Sequence, residues 1–180
     1  MQEIDKSIIE LGIKGDKEAF KLLYTHYAPF VWRLILRMTA DQTKARELLQ
    51  ETFVKIHGAI HKFKGNSAFS TWVYKIARNV VLADVRRIRL FRTHESYQEN
   101  IVGPYRADSF NSKDLVDKIM ATLSLDDRFL LIAREIDGLS FEEIADITGV
   151  SEGALRTKLH RLKENIKKNF NTPFEREACA

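Results

Sequence analysis

The apolar residues of this chain recur three and four positions apart over long stretches, which is the main feature of its sequence. Such a spacing places side chains on one face of an α-helix, whereas regular alternation, which would predict β-strands, is not seen. The clearest stretch follows Asp16, and its apolar positions are Phe20, Leu23, Tyr24, Tyr27, Val31, Leu34, Ile35 and Met38. The pattern predicts an all-α fold.

Helix starts are predicted from short polar residues that precede the apolar repeats. Asp5, Asp16 and Asp41 occupy such positions, where a carboxylate accepts hydrogen bonds from the free N–H groups of the first helical turn. Pro29 lies inside the second repeat and predicts a kink there. The third helix is predicted to bury the apolar face made by Ala45, Leu48, Leu49, Thr52, Phe53 and Ile56.

A fourth helix is predicted after the segment KFKGNSAFS (62–70), which contains the turn residues Gly65 and Asn66. This helix is expected to run to about Arg89. Its inward face is predicted to carry Phe69, Trp72, Val73, Ile76, Ala77 and Val80.

The helical pattern stops between residues 91 and 112, a polar and aperiodic segment that contains Gly-Pro. A segment of this length without its own structure is unusual inside a compact domain and is typical of a linker. The periodicity resumes over 113–170. The sequence therefore predicts two small helical domains, 1–90 and 113–170, joined by a flexible linker, with a frayed C-terminal tail at 171–180.

Two helices near the end of the chain are predicted to form a helix-turn-helix. Ser140 and Glu143 have the spacing of a capping box, Gly149 is a predicted left-handed helix end, and Ser151 is a predicted cap for the next helix. The buried face of the second helix is predicted to be Ala154, Leu155, Leu159, Leu162 and Ile166.

Charge divides these two helices. The first carries Glu142, Glu143 and Asp146, and the second exposes a set of cations, namely Arg156, Lys158, Arg161, Lys163, Lys167 and Lys168. A basic second helix suits insertion into the major groove, where arginine reads guanine edges and lysine contacts phosphates. The alternative is an ordinary helical hairpin with a solvated basic face.

A second basic region accompanies the fourth helix. Asp84 is the only acid between residues 62 and 92, a segment whose bases are Lys62, Lys64, Lys75, Arg78, Arg86, Arg87, Arg89 and Arg92. A stripe of one charge sign on a helix favours binding of a polyanion, and aromatic residues beside it suit an unstacked base. Each feature has a structural alternative, since Trp72 and Phe63 could belong to the core and Asn79 could bond to backbone.

Other functional classes find little support. The single cysteine, Cys179, and the scattered histidines provide no metal-ligand spacing, and no catalytic constellation or cofactor motif is present. We therefore expect no metal, no cofactor and no enzymatic activity. The first twenty residues are too charged for a signal peptide and no apolar run is long enough for membrane insertion, so we expect a cytoplasmic protein.

Several motifs in family order resemble the extracytoplasmic-function (group IV) sigma factors of bacterial RNA polymerase. WVYKIARNVVLADVRR (72–87) is similar to their W-L-Y-x-I-A-x-N…D…R-R signature, and ARELLQETFVKIH (45–57) is similar to their D-L-V-Q-E-x-F segment. The segment at 15–34 resembles their G-D-x-x-A-F-x-x-L-Y start, and the one at 138–167 resembles their helix-turn-helix. The resemblance covers the chain from Gly15 to Lys168.

The resemblance implies a role for each domain. The first domain would be σ2-like and would bind the β′ clamp coiled coil of core RNA polymerase through Leu48, Gln50, Glu51 and Phe53. It would recognise and melt the −10 element, with one flipped base, through Phe63, Asn66, Ser67, Phe69, Lys75, Arg78 and Asn79. The second domain would be σ4-like and would recognise the −35 element through Arg156, Thr157, Lys158, His160 and Arg161.

The implied function is promoter-specific transcription initiation for a stress or envelope response. The implied partners are core RNA polymerase, including its β subunit, promoter DNA and an anti-sigma factor, which could hold the protein at the membrane. Two departures from the family pattern are Lys44 and Arg46, which stand where acids are usual. The alternative function is that of a stand-alone helix-turn-helix repressor or activator, which would bind duplex DNA without polymerase.

Overall fold

The computed structural model describes residues 3–92 and 112–170. Every regular element in these two ranges is helical, as the apolar spacing predicts. The first range forms four α-helices, α1 Lys6–Ile13, α2 Lys17–Thr39, α3 Gln42–Ala59 and α4 Phe69–Arg92, with a 3₁₀ turn at Ile60–Lys62. The second forms α5 Ser112–Thr122, α6 Leu125–Leu131, α7 Phe141–Thr148 and α8 Glu152–Phe170, with a π-helical turn at Ile132–Ile136 that continues α6.

The predicted capping residues start their helices as expected. The side chains of Asp5, Asp16 and Asp41 accept hydrogen bonds from the backbone N–H groups of Ser7, Ala19 and Lys44, respectively. The α2 helix continues through Pro29 for another ten residues to Thr39. The α4 helix ends at Arg92, three residues later than the sequence pattern predicts.

The first domain, α1 to α4, is built on the predicted apolar faces. The buried positions of α2 include Leu23, Tyr27, Val31, Leu34, Ile35 and Met38, and they pack with those of α3 and α4. Thr52 is also buried, because its hydroxyl donates to the carbonyl of Leu48 at 2.6 Å and so has no unsatisfied donor in the core.

The second domain, α5 to α8, contains a smaller group of buried apolar side chains. Ser124 caps α6 by accepting from the N–H of Asp127, and Phe129, Leu130, Ile132 and Ala133 from α6 and its π-helical turn are buried. The α7 and α8 helices add Ile144, Ile147, Leu155, Leu159 and Leu162. Ala154, which the sequence predicts to be buried, is exposed, because it lies outside the leucine face of α8.

The two domains contact each other through α2 and α4 on one side and α6 and α7 on the other. The apolar core continues across this boundary, where the rings of Tyr74 and Phe129 lie 5.9 Å apart. The linker predicted at 91–112 lies outside the described residues except for the helix ends at its limits, and so does the predicted tail at 171–180.

Candidate nucleic-acid and polymerase interface

The helix-turn-helix forms with the predicted capping. The hydroxyl of Ser140 accepts from the N–H of Glu143 at 3.1 Å, and the carboxylate of Glu143 accepts from the N–H of Ser140 at 2.7 Å. Gly149 ends α7 in the left-handed region, at φ 74°, and α8 begins at Glu152. A left-handed residue strongly favours glycine, which explains why glycine stands at the end of α7.

The candidate −35 residues share the solvent side of α8. Leu155, Leu159 and Leu162 anchor that helix in the second domain. The five candidates are all exposed: Arg156, Thr157, Lys158, His160 and Arg161. An open groove of about 480 Å³ runs beside them between α8 and α6, and Gly153, Thr157 and Arg161 are among its lining residues.

Arg156 is held in a defined orientation. Its guanidinium donates to the carboxylate of Glu152 at 2.9 Å and lies over the ring of Phe141, 4.4 Å from the ring centroid. The guanidinium of Arg134 lies over the same ring at 4.8 Å. A stacked and paired arginine loses less side-chain entropy when it binds a base edge, so Phe141 and Glu152 preorganise Arg156. The sequence analysis did not identify this support for Arg156.

The candidate −10 loop rests on an aromatic cluster. The ring of Phe63 lies 5.1 Å from Phe69 and 5.5 Å from Trp72, and Phe69 lies 5.4 Å from Trp72. Phe69 is buried in the core, with only 2% of its surface exposed. It therefore supports the loop from below, and in this conformation it does not offer the direct base contact that the resemblance implies.

The remaining candidates of this loop lie at the surface. Asn66 and Asn79 are exposed, and Ser67 and Phe63 are half-buried. The backbone N–H of Ser70, in the first turn of α4, donates to the carboxylate of Glu3 at 2.9 Å. Glu3 therefore caps α4 from a position 67 residues away in the sequence, a contact that the local pattern did not reveal.

Lys75 and Arg78 are on the face of α4 that meets the second domain. The ammonium of Lys75 donates to the backbone carbonyl of Asp146 at 2.7 Å, and the guanidinium of Arg78 donates to the carboxylate of Asp126 at 2.6 Å. The structure thus separates these two cations from the exposed Asn79. The side chains of Arg89 and Arg92, farther along the predicted basic stripe, lie outside the described residues.

The candidate polymerase-binding residues divide between core and surface. Leu48 and Phe53 are buried at 2% and 6% exposure, because they belong to the apolar face of α3, and direct contact with a partner is not available to them here. Gln50 is exposed, and Glu51 pairs with Lys55 at 2.7 Å. Val54 is 71% exposed beside them and was missed, although it is an apolar residue outside the predicted buried face.

Among the described residues, no group of three or more His, Cys, Asp or Glu side chains is arranged to hold a metal ion. In the same parts of the chain, no helix has both the length and the apolar character needed to cross a bilayer.

Two protein families match this chain. The family described as "Sigma-70 region 2" matches residues 23–91, which cover most of α2, α3 and α4. The family described as "Sigma-70, region 4" matches residues 113–166, which cover α5 to α8 up to the last residues of α8. Each match falls within one of the two domains, and the first leaves out α1 and the start of α2.

Curated relatives are similar over nearly the whole chain. The RNA polymerase sigma-H factor of Pseudomonas aeruginosa is 35% identical, and the alignment covers 98% of both proteins. The ECF RNA polymerase sigma-E factor of Escherichia coli K12 is 31% identical, over 92% of this chain and 93% of that protein.

Two solved structures share the fold of this chain. The sigma factor RpoE in complex with the anti-sigma factor NepR, from Bartonella quintana, aligns with a TM-score of 0.70 at 21% identity, covering 86% of this chain and 98% of that one. CnrH in complex with the cytosolic domain of CnrY aligns with a TM-score of 0.69 at 18% identity, covering 93% and 97%. At these identities the likeness supports the fold.

Proposed function

Because the chain belongs to the extracytoplasmic-function sigma factors of bacterial RNA polymerase, we propose that its two domains divide promoter recognition between them. The protein directs core RNA polymerase to promoters, as members of this family do. The second domain reads the −35 element, and the first binds the polymerase and reads and melts the −10 element.

The observation that carries the −35 assignment is the exposed set of side chains on α8. Arg156 lies one turn from the start of that helix, oriented by Glu152 and Phe141. In a helix-turn-helix, the N-terminal part of the second helix reaches the base edges. Arg156 is therefore assigned to a guanine edge, and Lys158 and Arg161 to bases or phosphates beside it.

The −10 assignment rests on the loop before α4. Asn66 and Asn79 expose amide groups that can bond to a base, and the rings of Phe63 and Trp72 provide a surface on which a flipped base stacks. Capture of such a base offsets the few kcal/mol that unstacking costs. Lys75 and Arg78 would bind the backbone of the melted strand once they are released from the second domain.

Polymerase binding is assigned to the exposed side of α3. Gln50, Glu51 and Val54 lie within four positions of each other, so they share one helical face. An exposed valine between polar groups suits the centre of a protein contact, where apolar side chains exclude water. Leu48 and Phe53 stabilise the helix from its buried side.

Run-off transcription with core polymerase on a promoter library, randomised at both elements, tests these assignments. Arg156→Ala should change the −35 preference, and Asn79→Ala should lower the use of the −10 element. Lys167→Ala removes the same charge from the other end of α8 and serves as the matched control, with an unchanged preference. An unaltered promoter choice in Arg156→Ala and Asn79→Ala would refute the residue assignments.

The stand-alone repressor or activator is not favoured, because region 2 would have no role in it. A gel shift with and without core polymerase separates the two functions. A sigma factor should bind promoter DNA specifically only with the polymerase, whereas specific binding by the free chain at nanomolar concentration would support a repressor. Assays for nuclease activity and for nucleotide turnover should detect no activity, since we propose an initiation factor without catalysis of its own.

We also propose an anti-sigma factor as a partner, because the solved RpoE structure is a complex with the anti-sigma factor NepR. A membrane location, if the chain has one, would then come from that partner. The stress or envelope regulon remains a prediction from the resemblance. Affinity purification of the tagged chain from its own host, before and after envelope stress, tests both points.

A further inference from the structure

Thr157 lies between two cations on the exposed side of α8, and each of these cations is held by a partner. On one side of it, the guanidinium of Arg156 is paired with the carboxylate of Glu152 and stacked on the ring of Phe141. Because Phe141 belongs to α7, these contacts draw the arginine side chain towards that helix.

Lys158, on the other side of Thr157, is held by α6. Its ammonium lies 2.9 Å from the carboxylate of Asp127. The hydroxyl of Ser124 donates to the same carboxylate at 2.6 Å, so the acidic partner of the ion pair is itself fixed in position. The two cations are thus drawn towards different helices, and the side chain of Thr157 between them stays exposed.

The hydroxyl of Thr157 is already used within α8. It donates to the carbonyl of Gly153 at 3.0 Å, one turn earlier in the helix. A hydroxyl has one proton, so this group has none left to donate to a base and can only accept. The same bond fixes the rotamer of the β-branched side chain, so the γ-methyl group is presented in one direction. Ala154, three positions earlier and also exposed, adds a second methyl group on that face.

The major groove offers one apolar group to such a surface. Thymine carries a 5-methyl group there, whereas guanine presents only acceptors, which require a donor that Thr157 lacks. Methyl groups of alanine and threonine are the side-chain groups that contact thymine in this way. Ala154 and Thr157 both line the open groove between α8 and α6, so a base edge can approach them.

We propose that Thr157 is a specificity-determining residue, which recognises one thymine of the −35 element through contact between its γ-methyl group and the 5-methyl group of the base. This inference rests on the proposed function of α8 as the helix that reads the −35 element. The contact removes about one methyl group from water, which corresponds to about a fourfold preference for thymine. Arg156 and Lys158 flank the contact and bind the neighbouring positions.

The test uses the full chain with core polymerase in run-off transcription from the preferred promoter selected from the library. Each thymine of the −35 element is replaced in turn by uracil, which lacks the 5-methyl group and keeps every hydrogen-bonding group. At one position, uracil should lower transcription about fourfold, and uracil between the two promoter elements should have no effect. The inference is overturned if no position responds, or if the preferred −35 element contains no A·T pair.

Two substitutions of Thr157 separate its methyl group from its hydroxyl. Thr157→Ser keeps the hydroxyl and should abolish the uracil effect, whereas Thr157→Val keeps the methyl group and should retain it. Such a cycle isolates the contact between the two methyl groups, because each change alone removes it. Asn165→Ala, in the same groove further along α8, is the matched control and should respond to uracil like the natural chain. The opposite result for Ser and Val would show that the hydroxyl contacts the base, which contradicts the proposal.

A second experiment adds the methyl group instead of removing it. The responsive thymine is replaced by cytosine, with guanine opposite, and then by 5-methylcytosine, which restores only the methyl group. With the natural chain, methylation of this cytosine should raise transcription about fourfold, and with Thr157→Ser it should have no effect. A natural chain that does not distinguish the two cytosines would exclude the methyl contact.

Both readouts are ratios between two templates for one protein, so a variant that forms less holoenzyme gives the same ratio. Transcription from the unmodified promoter tests the proposed function separately, because it requires polymerase binding and promoter recognition of any kind. Full transcription without a uracil effect overturns only the role of Thr157. Absence of promoter-directed transcription by the natural chain overturns the proposed function and, with it, this inference.

Discussion

Arg156 lies over the ring of Phe141, with its guanidinium carbon 4.4 Å from the ring centroid. The two residues belong to different helices of the helix-turn-helix, so the first helix determines where the leading arginine of the second one points. Glu152 completes the arrangement from within α8. Phe141 therefore helps to orient Arg156, although its own side chain is apolar.

Phe141→Leu should weaken −35 discrimination by about two- to fivefold, the value of a surface cation–π contact of 0.5 to 1 kcal/mol. The measurement is the ratio of transcripts from promoters that differ at one −35 base, because a ratio is insensitive to a general loss of folded protein. Phe141→Tyr keeps the ring and should keep the ratio. Equal ratios for Phe141→Leu and the natural protein would show that the stacking has no role in recognition.

Val54→Asp should lower the affinity for core polymerase by at least about tenfold, because a carboxylate would be desolvated in the proposed contact, which would bury the natural valine. Fluorescence anisotropy of the labelled chain, titrated with core polymerase, measures this. Val54→Thr preserves the shape of the side chain and should change the affinity much less. Full affinity in the Asp variant would place the polymerase contact on another face.

Gly149→Ala should reduce the free energy of unfolding by about 1 to 2 kcal/mol. A Cβ there meets no atom within 4 Å, so the cost comes from the backbone, at φ +74°, and not from a clash. Gly153→Ala, in α8 and equally unobstructed, should instead increase stability by about 0.5 to 1 kcal/mol. Urea denaturation measures both, and a stabilised Gly149→Ala would contradict the left-handed assignment.

Alkaline pH should destabilise the protein through Tyr27. Burial raises the pKa of Tyr27 to about 12, and the nearby Glu3 acts in the same direction. In the unfolded chain the phenol loses its proton near pH 10, so the contribution of Tyr27 is constant below pH 10 and is lost as the pH rises from about 10 through 12. Tyr27→Phe should make this part of the stability curve less steep, and the decline that remains is expected from Tyr74, whose pKa burial also raises.

Tyr24→Phe is the matched control for that measurement, since Tyr24 is three positions away on α2 and 43% exposed. It should leave the alkaline decline of the natural protein in place. If Tyr27→Phe declines as steeply as Tyr24→Phe, another buried group causes the alkaline unfolding.

The elements of this protein were predictable because their signals are local. The carboxylates of Asp16 and Asp41 act within three residues of themselves, as does the capping box of Ser140 and Glu143. Apolar spacing likewise gave the all-α class and the leucine face of α8. The exposed candidates on α8 followed from that face, because the positions between the leucines must point outward.

Contacts between distant segments were decided only by the tertiary structure. The carboxylate of Glu3 caps α4 from 67 residues away in the sequence. The guanidinium of Arg128 donates to the carbonyl of Met38, 90 residues away. The carboxylate of Asp137 accepts a hydrogen bond from the hydroxyl of Tyr74, 63 residues away. Leu48, Phe53 and Phe69 fit a functional motif and an apolar face equally well in the sequence, and packing placed all three in the core. Helix formation depends on neighbours three and four residues away. Which helix faces meet depends instead on how all the side chains fill space together. The packing of these faces therefore determined which surface remains available to DNA.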